Sequence, residues 1–283
     1  MNHDHGLKQN IPAEQYHAMP GVSNSMLSAM KRSPAHCHAI YLDPKRPAQK
    51  ESTPAMKAGT LAHSSILEPH LTLDRYCLKP DGLNFATKEG KAWREEIPQG
   101  REIVTRDEME TAEAQRDAIM RVPVLANLLE TGKPEHSVFW QDATTGIWCR
   151  SRPDWLHYKA SKRVIALDIK TIADLSPEAV SKSIANYGYH RQAAHYTNGL
   201  IACGLVVEAF VFGFVSGSYP FIAAAFVLDD EALQQGQDEV AELLDLYAQC
   251  ERHNRWPAFG DTYQLVGLPA WARRSAEVEV SYV

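Results

Sequence analysis

The segment RPDWLHYKASKRVIALDIK, residues 152–170, decides the fold, because it predicts a β-hairpin that carries acidic residues on one face. Strand-forming residues flank a short polar turn. If this turn is centred near Ser161, Asp154 and Asp168 lie opposite each other, and opposed residues of an antiparallel pair have Cβ atoms about 4.5–5.5 Å apart. Strand alternation then places Lys170 on the same face as Asp168.

Two opposed carboxylates repel each other unless a cation lies between them. Mg²⁺ is commonly held by one or two carboxylates together with water and phosphate oxygens. Asp154 and Asp168 therefore predict a site for a divalent cation. The alternative is that both are strand-end residues paired with Arg152, Arg163 or Lys170, and the hairpin alone does not separate the two interpretations.

The pattern of Asp168 and Lys170, an acidic residue followed two positions later by a lysine, occurs at two other places. These are Asp43–Lys45 and Glu89–Lys91. Both contain a turn-forming residue, so they predict surface loops. Val164–Leu167, by contrast, is a continuous apolar run that is typical of a buried strand. This context selects Asp168 and Lys170 as the candidate site.

A predicted short helix before the hairpin carries a candidate metal ligand. It begins near Ala58 and ends at Pro69. Gly59 and His63 are four residues apart and share a face, where the glycine permits close backbone approach. His63 is either a neutral imidazole ligand or a histidine packed inside a helix pair.

A predicted helix after the hairpin places Tyr189, Gln192 and Tyr196 on one face. The usual role of such a stripe is packing onto a sheet. Together with the earlier residues, however, it completes an ordered series of motifs. These are Gly-x-x-x-His at 59–63, an aspartate at 154, Asp-x-Lys at 168–170 and Gln-x-x-x-Tyr at 192–196.

In this order, the motifs resemble the RecB/RecE branch of the restriction-endonuclease-like PD-(D/E)xK nucleases. The N-terminal stretches 16–25 and 33–36 resemble the opening of the RecE-type nuclease domain, that of exodeoxyribonuclease VIII. The resemblance extends from about residue 16 to about residue 250. Each motif alone is only weakly specific for this family, whereas the motifs taken together are specific for it.

The resemblance implies a metal centre and a catalytic lysine. His63, Asp154 and Asp168 would bind Mg²⁺ or Mn²⁺, and the backbone carbonyl of Ile169 would complete the shell. Lys170 would position or polarise the attacking water.

The resemblance also implies residues that act on the DNA. Gln192 and Tyr196, with the neighbouring Arg191, would hold the DNA backbone or orient the catalytic lysine. Glu135 would match an additional acidic position, although a glutamate that opens a strand is usually solvated.

Composition limits the classes of protein. The 283 residues are 45% apolar, which suits one large α/β domain or two small ones, and they contain no membrane-spanning run and no signal peptide. Five scattered cysteines predict reduced thiols in a cytoplasmic protein, without the four-cysteine iron–sulfur cluster of some related nucleases. The resemblance to RecE-type nucleases implies that the protein is bacterial or phage-encoded. The net charge of −6 argues against a non-specific DNA binder, but carboxylates that hold a cation count as negative in this total.

The predicted fold is α/β, with a mixed central sheet flanked by helices and an N-terminal helical part. Residues 1–15 are predicted as a mobile tail, 16–255 as the nuclease domain and 256–283 as an irregular tail. The strands of this one sheet are predicted at 136–142, 146–152, 153–158, 163–170, 206–215 and 221–228.

The resemblance predicts an Mg²⁺-dependent exonuclease that acts on double-stranded DNA ends, 5′→3′, in phage or prophage recombination. It also implies a homo-oligomer, a tetramer in RecE-like proteins, and a single-strand annealing partner of the RecT type. One alternative is a DNA-binding recombination accessory that has lost cleavage. Another is a single-strand or structure-specific endonuclease of the same fold.

Overall fold

The computed structural model describes residues 5–47, 52–260 and 263–269. Their strands are β1 (Gly6–Lys8), β2 (Tyr76–Leu78), β3 (Glu102–Val104), β4 (Lys133–Pro134), β5 (Ser137–Gln141), β6 (Trp148–Ser151), β7 (Trp155–Ala160), β8 (Arg163–Ile172), β9 (Val206–Ser216) and β10 (Ala223–Val227). Their helices are α1 (Ala13–Ala18), α2 (Asn24–Arg32), α3 (Pro34–Cys37), α4 (Pro54–Leu67), α5 (Pro69–Arg75), α6 (Lys88–Glu95), α7 (Arg106–Met120), α8 (Pro123–Glu130), α9 (Pro177–Tyr187), α10 (Tyr189–Ala202) and α11 (Asp230–His253), with a π-helical turn at His38–Leu42.

The central sheet has five strands in the order β10-β9-β8-β7-β4. Strands β8 and β9 are parallel, and the other neighbours are antiparallel. A parallel pair needs a crossover connection, which α9 and α10 supply here. The predicted α/β fold with a mixed central sheet is therefore confirmed.

The hairpin of β7 and β8 has the register that the sequence predicts. Trp155 lies opposite Leu167, so the turn is centred on residue 161, and a bulge near Tyr158 precedes it. Asp154 directly precedes β7, at the position that this register sets opposite Asp168.

Helices cover both faces of the sheet. Alternate residues of β8 point to opposite sides, so Ala166 packs in the cluster that contains α10 and α11, whereas Leu167 and Ile169 pack in the cluster that contains α7 and α8. Asp168 shares its side of the strand with Ala166 and therefore faces α10.

Strands β5 and β6 form a separate sheet with β1, in the order β1-β5-β6. The prediction that they extend the central sheet is wrong. The prediction of a mobile tail is also wrong for residues 6–8, because β1 pairs with β5 and sets Leu7 opposite the fully buried Val138. The pairing of β1 with β5 satisfies backbone hydrogen-bonding groups at the edge of β5. It also removes apolar side chains from water.

Glu89–Lys91, predicted as a surface loop, lies in α6. Thr87 begins this helix by accepting a hydrogen bond from the backbone of Gly90. Residues 255–260 and 263–269 contain no helix or strand, and the other residues of the predicted C-terminal tail lie outside the described part. Over the described ranges, no helix is both long and apolar enough to cross a bilayer.

Candidate active site

The candidate site lies where β7 begins and β8 ends. Asp154 accepts a 2.7 Å hydrogen bond at Oδ2 from the backbone N–H of Ile169. Asp168, the residue before it, is buried, with 1% of its surface exposed. The structure therefore brings both predicted carboxylates to one end of the hairpin.

Helix α4 adds His63 to this pair. Its Nδ1 lies 3.5 Å from Asp154 Oδ2, and its Nε2 lies 2.9 Å from the carbonyl oxygen of Ile169, a distance at which the imidazole N–H donates. The four predicted metal-binding groups thus lie together, namely the side chains of Asp154, Asp168 and His63 and the carbonyl of Ile169. His63 and this carbonyl are hydrogen-bonded to each other.

Gly59 is not required for the packing of α4. A Cβ atom built on it would meet only Thr171 Oγ1, at 4.0 Å, which is an ordinary van der Waals contact. Among the described residues, therefore, no part of the protein makes the close approach that Gly59 permits.

Lys170 forms an ion pair with Asp168 Oδ1 and lies 4.8 Å from the centre of the Tyr189 ring. Burial lowers the pKa of the Lys170 ammonium, but Asp168 and Asp154 outweigh it, so this pKa is raised above its ordinary value. The raised pKa favours the charged form of the lysine, whose ammonium lies between a carboxylate and an aromatic face.

Burial and the neighbouring charge of Asp168 raise the pKa of Asp154 to about 6. His63, Lys170 and the N–H of Ile169 act in the opposite direction but do not cancel this effect. The two carboxylates therefore lack part of the positive charge that they need when both are ionised.

Gln192 contacts the site through Asp168. Its side-chain amide donates a 2.7 Å hydrogen bond to Asp168 Oδ2, and the amide of Gln192 lowers the pKa of Tyr196, which burial and Asp168 raise well above its ordinary value. Tyr196 in turn packs edge to face on Phe210, with ring centres 6.2 Å apart. Both side chains are thus arranged to orient Asp168, while their predicted contact with DNA stays a prediction.

Arg191 does not reach the carboxylates. It is 3% exposed and donates to Glu239 Oε2 over 3.0 Å and to Ser28 Oγ over 2.7 Å. Its predicted contact with DNA is wrong, because α10 turns this side chain into the interface with α2 and α11.

Glu135 lies beside the site but points elsewhere. Its backbone N–H donates to the carbonyl of Asp154 over 2.9 Å, whereas its carboxylate pairs with Arg152 over 3.0 Å. Glu135, the candidate for the additional acidic position, therefore contacts the site through its backbone N–H and not through its carboxylate.

A cleft of about 820 Å³ opens beside His63. Its walls include Glu135 and Arg152, residues 10–13, and the ion pair of Glu68 with Arg75, whose atoms lie 2.6 Å apart. Neither Glu68 nor Arg75 belongs to a spaced motif, so the sequence alone does not predict that they line this cleft. The sequence predicts Tyr189 only as part of a packing stripe, not as the ring that lies beside Lys170.

The donor chemistry fits a divalent cation. Among the described residues, no three His, Cys, Asp or Glu side chains already surround a common point in a metal-binding arrangement. The site nevertheless combines two carboxylates, an imidazole and a backbone carbonyl. Burial and the charge of Asp168 raise the pKa of Asp154, and a cation held by the two carboxylates would oppose both effects.

Comparison with known proteins identifies the family. Residues 23–266 match the PDDEXK-like domain of unknown function (DUF3799). No curated protein is significantly similar to the chain. A crystal structure of a "putative exonuclease" from Eubacterium rectale has a TM-score of 0.57 at 14% identity, over 92% of this chain and 97% of that one.

The crystal structure of SSO0001 covers 66% of this chain and 86% of its own, at 14% identity, with a TM-score of 0.28. The match to the PDDEXK-like family model over residues 23–266 confirms the predicted resemblance to the PD-(D/E)xK superfamily, whereas membership of its RecE branch stays a prediction. The chain belongs to the family of PDDEXK-like domains of unknown function.

Proposed function

We propose that this protein is a metal-dependent deoxyribonuclease. The observation that carries the proposal is the hairpin end, where Asp154 and Asp168 lie with His63 on one side and a charged Lys170 on the other. The family match and the name of the Eubacterium rectale structure support the same chemistry.

His63, Asp154, Asp168 and the carbonyl of Ile169 are the groups that would hold Mg²⁺ or Mn²⁺. When bound, such an ion supplies Lewis acidity at the phosphate and stabilises charge on the leaving 3′-oxygen. The protein's own contribution is to hold these oxygens in place, through the N–H of Ile169 on Asp154 and the amide of Gln192 on Asp168.

Lys170 would orient a water molecule or an anionic phosphate oxygen by hydrogen bonding. Burial lowers the pKa of its ammonium, but Asp168 and Asp154 raise it above the ordinary value, which favours the charged form that donates. The ion pair with Asp168 and the ring of Tyr189 restrict where that charge can lie. The cleft opens at His63, on the imidazole side of the site, and its lining does not include Lys170 or the two carboxylates.

The finer assignment rests on the resemblance of the N-terminal stretches to RecE-type nucleases. On that basis, the substrate is the end of double-stranded DNA, degraded 5′→3′ in phage or prophage recombination. A homotetramer and an annealing partner of the RecT type belong to the same proposal. Light scattering tests the assembly: a mass four times that of the 31.6 kDa chain supports it, and a monomer contradicts it.

The activity is tested with linear, circular and end-labelled duplexes in Mg²⁺, in Mn²⁺ and in EDTA. We expect metal-dependent loss of linear duplex, starting at its ends, and at least a thousand-fold slower loss with Asp168→Asn. Asp245→Asn is the matched control, because Asp245 is exposed on α11 and accepts a hydrogen bond from Gln249 alone among the described contacts. Equal degradation by Asp168→Asn and wild type would contradict the proposal.

The same assay separates the alternatives. Cleavage of circular duplex or of single strands, with intact duplex ends spared, would identify a structure-specific or single-strand endonuclease. DNA binding without cleavage under any metal would identify a recombination accessory.

A further inference from the structure

Two tyrosines form a stack that leads from Lys170 to the solvent. The rings of Tyr187 and Tyr189 lie 5.6 Å apart at an interplanar angle of 24°. The inner ring, Tyr189, packs on Phe212 and Phe214 and contacts the Lys170 ammonium. The outer ring, Tyr187, is 66% exposed. The inner ring has a packing role, whereas one face of the outer ring is unexplained by packing.

The turn between the tyrosines fixes their orientation. Gly188 ends α9 in the left-handed conformation, with φ of 67°, and α10 begins at the next residue. A Cβ atom at Gly188 would lie 2.4 Å from the guanidinium of Arg191, which is itself buried and paired with Glu239. The stack is therefore preformed and needs no rearrangement to present its outer face.

A hollow of about 290 Å³ adjoins the stack at the end of β8. Its lining includes Tyr187, Tyr189, the hydroxyl residues Thr171 and Ser183, and the carboxylate of Asp174. Both oxygens of Asp174 already accept hydrogen bonds from Ser176, one from its backbone N–H over 2.8 Å and one from its hydroxyl over 3.0 Å. The negative charge of this carboxylate repels a phosphate, so the hollow disfavours the DNA backbone and leaves the aromatic rings as its binding surface for a base.

We propose that Tyr187 is a stacking platform for a nucleobase of the strand whose phosphate lies at Lys170. This inference rests on the proposed nuclease function and adds a substrate-positioning residue to it. Aromatic rings bind bases without regard to sequence, because every base has a π-face. The platform would hold the strand in register with the carboxylates while leaving the choice of sequence open.

The stack makes a quantitative prediction for three variants. Tyr187→Ala should raise both KM for DNA cleavage and Kd for DNA roughly ten-fold, within the range known for one base on one ring, with little change in kcat. Tyr187→Phe keeps the ring and should behave as wild type. Tyr263→Ala is the matched control, because Tyr263 is a fully exposed tyrosine outside any helix or strand.

The direct test uses duplexes that carry 2-aminopurine singly at successive terminal positions, bound in Ca²⁺. Wild type and Tyr187→Phe should quench the probe at one position, and Tyr187→Ala should not. An abasic site at that position should weaken binding to wild type by the same factor as Tyr187→Ala, with no further loss when both changes are combined. A structural role for Tyr187 would not produce this non-additivity.

The outcomes separate the two proposals. If wild type cleaves DNA and Tyr187→Ala binds, quenches and cleaves equally well, the platform is disproved and the nuclease stands. If wild type does not cleave but shows the Tyr187-dependent quenching, the platform stands and the nuclease falls. If wild type does not bind DNA at all, both are overturned.

Discussion

The side-chain amide of Gln192 donates a 2.7 Å hydrogen bond to Oδ2 of Asp168, and this contact ties α10 to the strand that carries the site. Gln192 is 7% exposed, so its amide is held in one orientation. The other oxygen of Asp168 faces Lys170. The position of the carboxylate is thus set from both sides.

Removal of this amide should loosen Asp168 without removing a proposed metal ligand. We expect Gln192→Ala to lower nuclease activity about 10- to 100-fold, as is typical of residues that orient ligands, with partial recovery at high metal concentration. Gln234→Ala is the control, since that exposed glutamine bonds only to Asp238 among the described contacts. Activity equal to wild type at low metal would refute the orienting role.

Substitution of Asp154 should stabilise the metal-free protein. At pH 8 the raised pKa of Asp154 makes its ionised form costly, and Asp154→Asn removes that charge while keeping an acceptor for the N–H of Ile169. We expect a gain of about 1–2 kcal/mol in the free energy of unfolding in EDTA. Mn²⁺ should raise the melting temperature of wild type and leave that of Asp154→Asn almost unchanged.

Thermal unfolding of both proteins, with and without Mn²⁺, checks this prediction. Asp245→Asn again serves as the control. If Asp154→Asn were less stable than wild type in EDTA, or were stabilised by Mn²⁺ as much as wild type, the inference that the ionised Asp154 is unfavourable without a metal would be contradicted.

Two helical glycines should respond in opposite ways to alanine. Gly59 has room for a Cβ, so Gly59→Ala should stabilise α4 by about 0.5–1 kcal/mol. At Gly236 a Cβ would lie 2.4 Å from the carbonyl oxygen of His190, so Gly236→Ala should destabilise the packing of α11 on α10 by about 1–3 kcal/mol. Urea unfolding of both variants measures the difference, and changes of the same sign would refute this account.

Glu239 should support the fold in a defined range of pH. It accepts from Lys31 over 2.8 Å, His190 over 3.2 Å and Arg191 over 3.0 Å. Burial raises the pKa of this carboxyl, but the hydrogen bonds from Lys31 and His190 outweigh it and lower the pKa to about 2. Because the pKa of Glu239 is lowered in the folded protein, its ionised carboxylate stabilises the fold at pH values above the ordinary pKa of 4.5. This stabilisation is lost as the pH falls towards 2.

We therefore expect Glu239→Gln to cost about 2 kcal/mol at pH 7 and progressively less below pH 4.5. Denaturant unfolding across this range measures the difference. Glu242→Gln, on the exposed side of the same helix, should be neutral throughout. A penalty for Glu239→Gln that does not change with pH would show that the charge is unimportant.

Local patterns predicted the hairpin well. Its apolar strands and short polar turn fix a register by themselves, and the carboxylates follow from that register. The starts of α8 and α9 also depend on neighbouring residues alone, since Pro123 occupies the first turn of α8 and Ser176 caps α9. Such features need no knowledge of distant contacts.

Long-range contacts were harder to predict. Arg191 looks like a DNA-binding cation in the sequence, and only the packing of α2 and α11 buries it. Strand β1 has three residues and no pattern of its own, so its pairing with β5 is visible only in three dimensions. The contact of Gln192 with Asp168 spans 24 residues and required the crossover between β8 and β9 to be known.

The pairing of β1 with β5 bears on how this protein can be shortened. A truncated form that starts at residue 16 would keep every motif, yet it would lose residues 10–13 from one wall of the cleft. It would also leave the hydrogen-bonding groups of β5 open to other chains, which invites aggregation. Affinity tags and deletions at the amino terminus should therefore leave the chain intact from Gly6 onward.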